Sequence, residues 1–159
     1  MDLVATHLVK KSDLGFHSNL FGGKILSWID VAAAAYSMQV CDTPRMVTIA
    51  IDRCEFKKPA KEGQLVKIYA DVEEIGNSSA TINIEARSHN VYSGEQRVIV
   101  STKIKFVRID ENGDPIPISD RVKTRYQERF KNYGRGLLHP EELEKEIREK
   151  EIARQQKNS

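Results

Sequence analysis

Cysteine is scarce in this chain of 159 residues: Cys41 and Cys54 are the only two, too few and too isolated for a disulfide framework or a zinc site. Both are expected to be reduced, buried thiols that fill space as small apolar groups. The histidines, His7, His17, His89 and His139, show no metal-ligand spacing, so no metal is expected. A Gly-x-x-x-x-Gly-Lys phosphate loop and a dinucleotide fingerprint are also missing, and no cofactor is expected. No run approaches the roughly 18 apolar residues that a membrane span needs, and the first residues lack the basic-then-apolar order of a secretory leader. These absences predict a cytoplasmic protein with no membrane partner.

Charge of one sign is lacking too. The net charge of +2 favours no class of partner, although its distribution is uneven. Arg121, Lys123, Arg125, Arg129, Lys131 and Arg135 face only Asp120 and Glu128 in the same stretch. As a nucleic-acid surface this stretch would bind with steep salt dependence. Its aromatics Tyr126, Phe130 and Tyr133 follow a four-then-three spacing that suits a helix face packed on the domain or on a neighbouring subunit instead. No nucleic acid is therefore expected as a partner. A cut after Ser119 is expected to weaken assembly and leave the core folded.

What is present is apolar content for one core, 40% of the residues, in a chain short for two. Composition shifts after Pro117, which gives a folded unit over 1–118 and a charged helical extension over 119–159. Residues 120–133 read as one helix of that extension. A second is expected from His139 and Pro140, with Glu141 and Glu142 in its first turn. Glu141 with Lys145, Glu144 with Arg148 and Glu146 with Lys150 would support it at four-residue spacing.

Within the folded unit, residues 22–40 are rich in alanine and free of proline, a helix of about 28 Å. Pro44 ends it, because the residue before a proline is pushed out of helical geometry. Residues 3–9 form a weakly patterned first strand. Four alternating segments follow the helix: Val47, Ile49 and Ile51; then Val66, Ile68, Ala70 and Val72; then Ala80, Ile82, Ile84 and Ala86; then Val98, Val100, Ile104 and Phe106. Turn residues separate them at Pro59 and Gly63, at Gly76 and Asn77, and at Ser93 and Gly94; Asn112, Gly113, Asp114 and Pro115 close the last. One-sided alternation without a strand-helix-strand rhythm predicts an antiparallel sheet with one buried face. Strands of about nine residues rise roughly 30 Å, the length of the helix, so an α+β fold is expected in which the sheet curls around that helix.

The helix carries an anomaly. Asp30 interrupts an apolar run that Gly22 and Gly23 open, and a carboxylate there must be paired, hydrogen-bonded or protonated to be tolerated. Either it is structural, satisfied by Ser27 or Thr48 or stabilising a dimer, or it does chemistry.

Taken in order, Asn19, Phe21, Gly22 and Gly23, Asp30 seven residues later, the strand over 47–52, and then Phe56, Lys57, Lys58 and Pro59 resemble the hotdog-fold acyl-CoA thioesterases. Gly63, Gln64, Leu65 and Val66, the turn Gly76, Asn77, Ser78 and Ser79, and residues 107–117 extend the likeness over about 13–118. The resemblance implies a curved sheet wrapped around the helix and two units paired edge to edge as a homodimer. It further implies a hexamer built as a trimer of dimers, and hydrolysis of acyl-CoA to fatty acid and CoA at the subunit interface. An acyl-CoA-binding module without hydrolysis is the alternative on the same fold, because many relatives carry Asn where this chain has Gly15. His17 and Asn19 are the polar candidates to take over from it.

Thioester hydrolysis needs an activated water and a partner for the carbonyl oxygen that gains charge. A helix N-terminus offers unpaired N–H groups and the positive dipole end, so Gly22 and Gly23 suit an oxyanion hole; the plain reading is a tight turn into the helix. Asp30 suits a general base, or a nucleophile forming an anhydride. It lies about 10 Å along the axis from Gly23, too far to act within one chain, so a site shared across a two-fold axis is expected. Thr48 and Phe56 are expected beside the substrate, and Trp28, Met38 and Phe56 around the acyl tunnel. Arg53, Lys57 and Lys58, with Arg87 and Arg97 behind them, are candidates for the CoA phosphates. By the resemblance, the turn 76–79 holds the pantetheine arm.

Overall fold

The computed structural model describes residues 1–132, 148–149 and 152–157. The chain begins with β1 (Asp2–Leu8), a single 3-10 turn (Lys11–Asp13) and α1 (Gly22–Cys41). It continues through β2 (Met46–Ile51), the two-residue β3 (Glu55–Phe56), β4 (Leu65–Ile75), β5 (Ser79–His89) and β6 (Gln96–Arg108) to α2 (Asp120–Asn132). Every strand pair is antiparallel, in the order β1-β4-β5-β6-β2, with β3 also on β6. The 20-residue helix α1 contacts β1, β2, β4, β5 and β6, which a single sheet allows only by curling around it. This is the hotdog arrangement.

α1 runs one residue beyond the expected 22–40. It ends where Asp42 turns left-handed at φ 54° and both the Asp42 and Thr43 amides donate to the Met38 carbonyl. Ile25, Ile29, Ala32, Ala33, Tyr36 and Val40 recur at three- and four-residue steps and are buried against the sheet, the stripe an amphipathic helix needs. β4 and β5 alternate as expected, with Val66, Ile68, Ala70 and Val72 and then Ala80, Ile82, Ile84 and Ala86 turned to the core.

β6 breaks the alternation. A bulge between the pairs Ala86–Val100 and Arg87–Val98 leaves Ile99 without an opposite residue. The extra residue turns inward; Ile99 is buried and Val98 only partly so, so Val98 does not belong to the inner face that simple parity assigns it.

β2 departs further from the one-sided pattern. Met46 is buried, but Val47, Ile49 and Ile51 are 38%, 53% and 41% exposed, because β2 is the last strand of the sheet. An apolar edge with unpaired backbone groups is a surface for pairing with another strand.

The core crosses the boundary after Ile118. Ile118, Val122 and Tyr126 join the same buried cluster as α1 and the sheet, so the first part of the 119–159 extension packs on its own domain. A cut after Ser119 would remove Val122 and Tyr126 from that cluster. Arg121 and Arg125 reach Asp42 at 2.9 and 3.1 Å, and the Arg125 hydrogen bond foremost holds that carboxyl below its ordinary pKa. The Phe130 side chain, Tyr133, and the helix expected from His139 with its glutamate pairs lie outside the described residues. Among the described residues no helix is long and apolar enough to cross a membrane.

Candidate active site

α1 starts without the side-chain oxygen that commonly closes a helix N-terminus. Its N-cap is Phe21. The Lys24 and Ile25 amides donate to the Phe21 carbonyl at 3.0 and 3.2 Å, whereas those of Gly22 and Gly23 have no acceptor among the described residues. Two free N–H groups at the positive end of a 20-residue helix favour an anionic oxygen. Asp13, which nothing in the sequence pattern singles out, fixes this helix start from behind. It is 4% exposed, accepts the Lys10 N–H at 2.9 Å, and lies 3.6 Å from Lys24 Nζ. Its carbonyl accepts the Phe21 N–H at 2.9 Å.

Gly22 opens on a cleft of 320 Å³. Leu20, Ile25, Ile99 and Val100 supply apolar lining, and Asn19, Phe56, Lys57 and Lys58 line it as well. A Cβ on Gly22 would sit 3.5 Å from the Phe56 ring, in ordinary contact but inside the cleft; one on Gly23 would come within 2.7 Å of Phe21 Cε1. Five expected site residues thus meet here: Asn19, Gly22, Phe56, Lys57 and Lys58.

Others fall elsewhere. His17 is exposed and stands edge-on to Phe16 at 5.1 Å, away from the cleft. Gly15 donates its amide to the Asn19 carbonyl at 2.7 Å, and a Cβ there would come 3.3 Å from the exposed Phe21 ring, which would have to give by a few tenths of an ångström. Arg53 pairs with Glu55 at 2.5 Å and lines a separate hollow with Glu73 and Lys103. Arg87 is held by Glu85 and lies over the Tyr69 ring, and Arg97 is held by Glu95. Trp28 stacks on His7 at 4.3 Å, toward β1; burial lowers the His7 pKa, with the Asp13 charge opposing it. Met38 packs on the core. Of the three expected tunnel residues, only Phe56 lines the cleft.

Asp30 is half-buried, and its Oδ1 accepts the Thr48 hydroxyl at 2.8 Å. Thr48 therefore serves the carboxylate rather than the cleft. The pair joins α1 to the exposed strand β2, and neither residue lines the Gly22 cleft.

The turn 76–79 lies at the other end of the sheet. Ser79 pairs with Val107, whereas the cleft is lined by Val100, a separation of about 23 Å along β6. Gly76 donates its amide to the Ser79 carbonyl at 2.8 Å, and the Asn77 and Ser78 carbonyls accept the Ile118 and Arg108 amides, also at 2.8 Å. Lys123 Nζ donates to Asn77 Oδ1 at 2.8 Å. Within one protomer the turn, the carboxylate and the glycines do not meet. Burial pushes the Cys41 thiol up to about 11 and raises that of Cys54 as well.

Residues 17–95 match the thioesterase superfamily profile. An uncharacterized acyl-CoA thioester hydrolase of Buchnera aphidicola is 33% identical over 116 residues, covering 71% of this chain and 85% of that protein. The hexameric thioesterase y2039 from Yersinia pestis is 30% identical, with a TM-score of 0.70 over 75% of this chain and 96% of its own. Cj0915, a hexameric hotdog fold thioesterase of Campylobacter jejuni, is 28% identical, with a TM-score of 0.72 over 80% of this chain and 97% of its own.

Proposed function

This chain belongs to the thioesterase superfamily, and from that membership we propose that it hydrolyses acyl-CoA to a fatty acid and CoA at a site shared by two protomers. The carrying observation is that one helix divides the necessary groups. Free amides stand at Gly22 and Gly23, while the only carboxylate of α1 stands about 10 Å away, beside the sheet's exposed edge. Pairing two β2 edges antiparallel reverses the ends of the second protomer. One chain's Asp30 then approaches the other chain's glycines, and one chain's turn 76–79 falls on the same side as the other's cleft.

In that site the substrate carbonyl points at the Gly22 and Gly23 N–H groups. Asp30 takes a proton from water, and the water oxygen bonds to the carbonyl carbon as the C=O electron pair moves onto oxygen. Collapse re-forms the carbonyl, breaks the C–S bond and releases CoA as a thiolate, which recovers the proton. Thr48 holds Asp30 in place through its hydroxyl. Leu20, Ile25 and Val100 offer the acyl end an apolar wall, Asn19 supplies a polar side chain at the cleft, and Lys57 and Lys58 meet the CoA phosphates. The turn formed by Gly76, Asn77, Ser78 and Ser79 carries the pantetheine arm.

The dimers assemble further into a hexamer, as a trimer of dimers, a reading supported by the hexameric relatives. Two free thiols suit the reducing cytoplasm. The test is CoA release from short, medium and long acyl-CoAs by the unaltered protein and by Asp30→Ala. Turnover by the first and its loss in the second are expected; no release from any chain length by an intact oligomer would overturn the reading.

A further inference from the structure

We infer that Lys123, on α2, is a positioning residue for the substrate: it holds the β4–β5 turn in the shape that receives the pantetheine arm. This rests on the reading that the turn touches substrate. The turn closes on itself only at its neck, through the Gly76 amide and the Ser79 carbonyl. Its tip is held from outside. Ile118 and Arg108 fix the Asn77 and Ser78 carbonyls, and the Asn77 side chain is held by the Lys123 ammonium at 2.8 Å. Between the turn and α2 lies a hollow of 290 Å³, lined by Ile75, Gly76, Asn77, Lys123, Tyr126 and Gln127. Across that hollow the Lys123–Asn77 hydrogen bond is a direct side-chain tie from α2 to the turn, and a charged donor makes such a tie strong.

The base from which Lys123 reaches is rigid. Its neighbour Val122 is 0% exposed and Tyr126 is buried one turn on, while Arg121 and Arg125 anchor the same turn of α2 to Asp42 at the end of α1. α2 thereby links the end of the catalytic helix to the tip of the substrate turn. Since the turn serves the partner's cleft, Lys123 of one protomer tunes substrate binding in the other.

Steady-state kinetics on the full chain test this. Lys123→Ala is expected to raise KM for acyl-CoA about fivefold with kcat within about twofold, the pattern of lost binding rather than lost chemistry. Lys123→Arg should restore most of it. Asn77→Ala should match Lys123→Ala, and the double variant should be no worse than either. Acyl-pantetheine, which lacks the nucleotide, should show the same rise. A rise confined to acyl-CoA would mean direct phosphate contact and overturn the positioning role, as would an unchanged KM. Ser78→Trp separates the two levels of inference. If it leaves KM unaltered, the turn is not a substrate contact; if it raises KM while Lys123→Ala does not, only the role of Lys123 fails.

Discussion

Thr48 donates its hydroxyl to Asp30 Oδ1 at 2.8 Å, so the sole carboxylate of the long helix is oriented by the strand that borders the open edge of the sheet. Asp30→Asn is expected to lower kcat by about 10²- to 10⁴-fold, the range of a lost general base, with little change in KM. Thr48→Ala should cost about tenfold through misorientation alone, and Thr48→Ser should stay near the unaltered rate. Equal rates for Thr48→Ala and the unaltered enzyme would show that the bond plays no part.

The two glycines should respond differently to alanine. Gly22→Ala places a methyl in ordinary contact with Phe56, whereas Gly23→Ala brings one to 2.7 Å from Phe21 Cε1. Phe21 is 59% exposed and can swing aside, so both variants should melt close to the unaltered protein. Their activities should diverge: the Gly22→Ala methyl projects into the cleft beside Phe56 and should cost activity by crowding the substrate carbonyl, whereas Gly23→Ala keeps its N–H and meets Phe21, so it should lose less. Thermal melting and kcat measured together check this.

Edge pairing predicts that assembly and activity fail together. Ile49→Lys, on an edge residue 53% exposed in the single chain, should split the assembly at its dimer seam, seen as a smaller species by size-exclusion chromatography, and abolish turnover. Full activity in that smaller species would eliminate the shared site.

Val122 predicts a stability role for the start of the extension. It is 0% exposed, so Val122→Ala should cost about 2 kcal/mol in urea unfolding, and a cut after Ser119 should cost more. An unchanged midpoint would detach α2 from the core.

Asp42 gives a pH dependence of known sign. Its folded pKa lies below its ordinary value, chiefly through the Arg125 hydrogen bond, so the unfolded chain takes up the proton first. The stabilisation is therefore complete above about pH 4 and lost as pH falls through the folded pKa. The melting-temperature gap between the unaltered protein and Asp42→Asn should be open at neutral pH and closed in strong acid.

Much of the architecture was legible in the sequence because periodicity reports burial directly. Ile25, Ile29, Ala32 and Tyr36 mark the inner face of α1, and β4 and β5 alternate without exception over their buried runs. Parity failed at Ile99, where a bulge inserts one residue, because nothing in a Val-Ile-Val run says which member lacks an opposite. It failed at β2, whose alternation is that of a buried strand, because a chain alone cannot say whether its cover comes from itself or from a copy. Asn19, Gly22, Phe56, Lys57 and Lys58 line one cleft, although the two lysines were expected outside it; His17 and Arg53 do not line it, since loop direction and local pairing with Glu55 leave no trace in spacing. Asp13 went unseen for the same reason: its partners are mostly backbone groups.

Phe21 at the head of α1 has a consequence for engineering. A Ser or Asp there would accept a hydrogen bond from the amides two or three positions into the helix, those of Gly23 and Lys24, and stabilise the protein by about 1 kcal/mol. When the donor is Gly23, that bond occupies one of the two N–H groups left free for the substrate. A screen that rewards heat resistance alone would therefore be drawn to position 21 and would enrich for well-folded, inactive protein, whereas a screen on turnover would keep the helix start open.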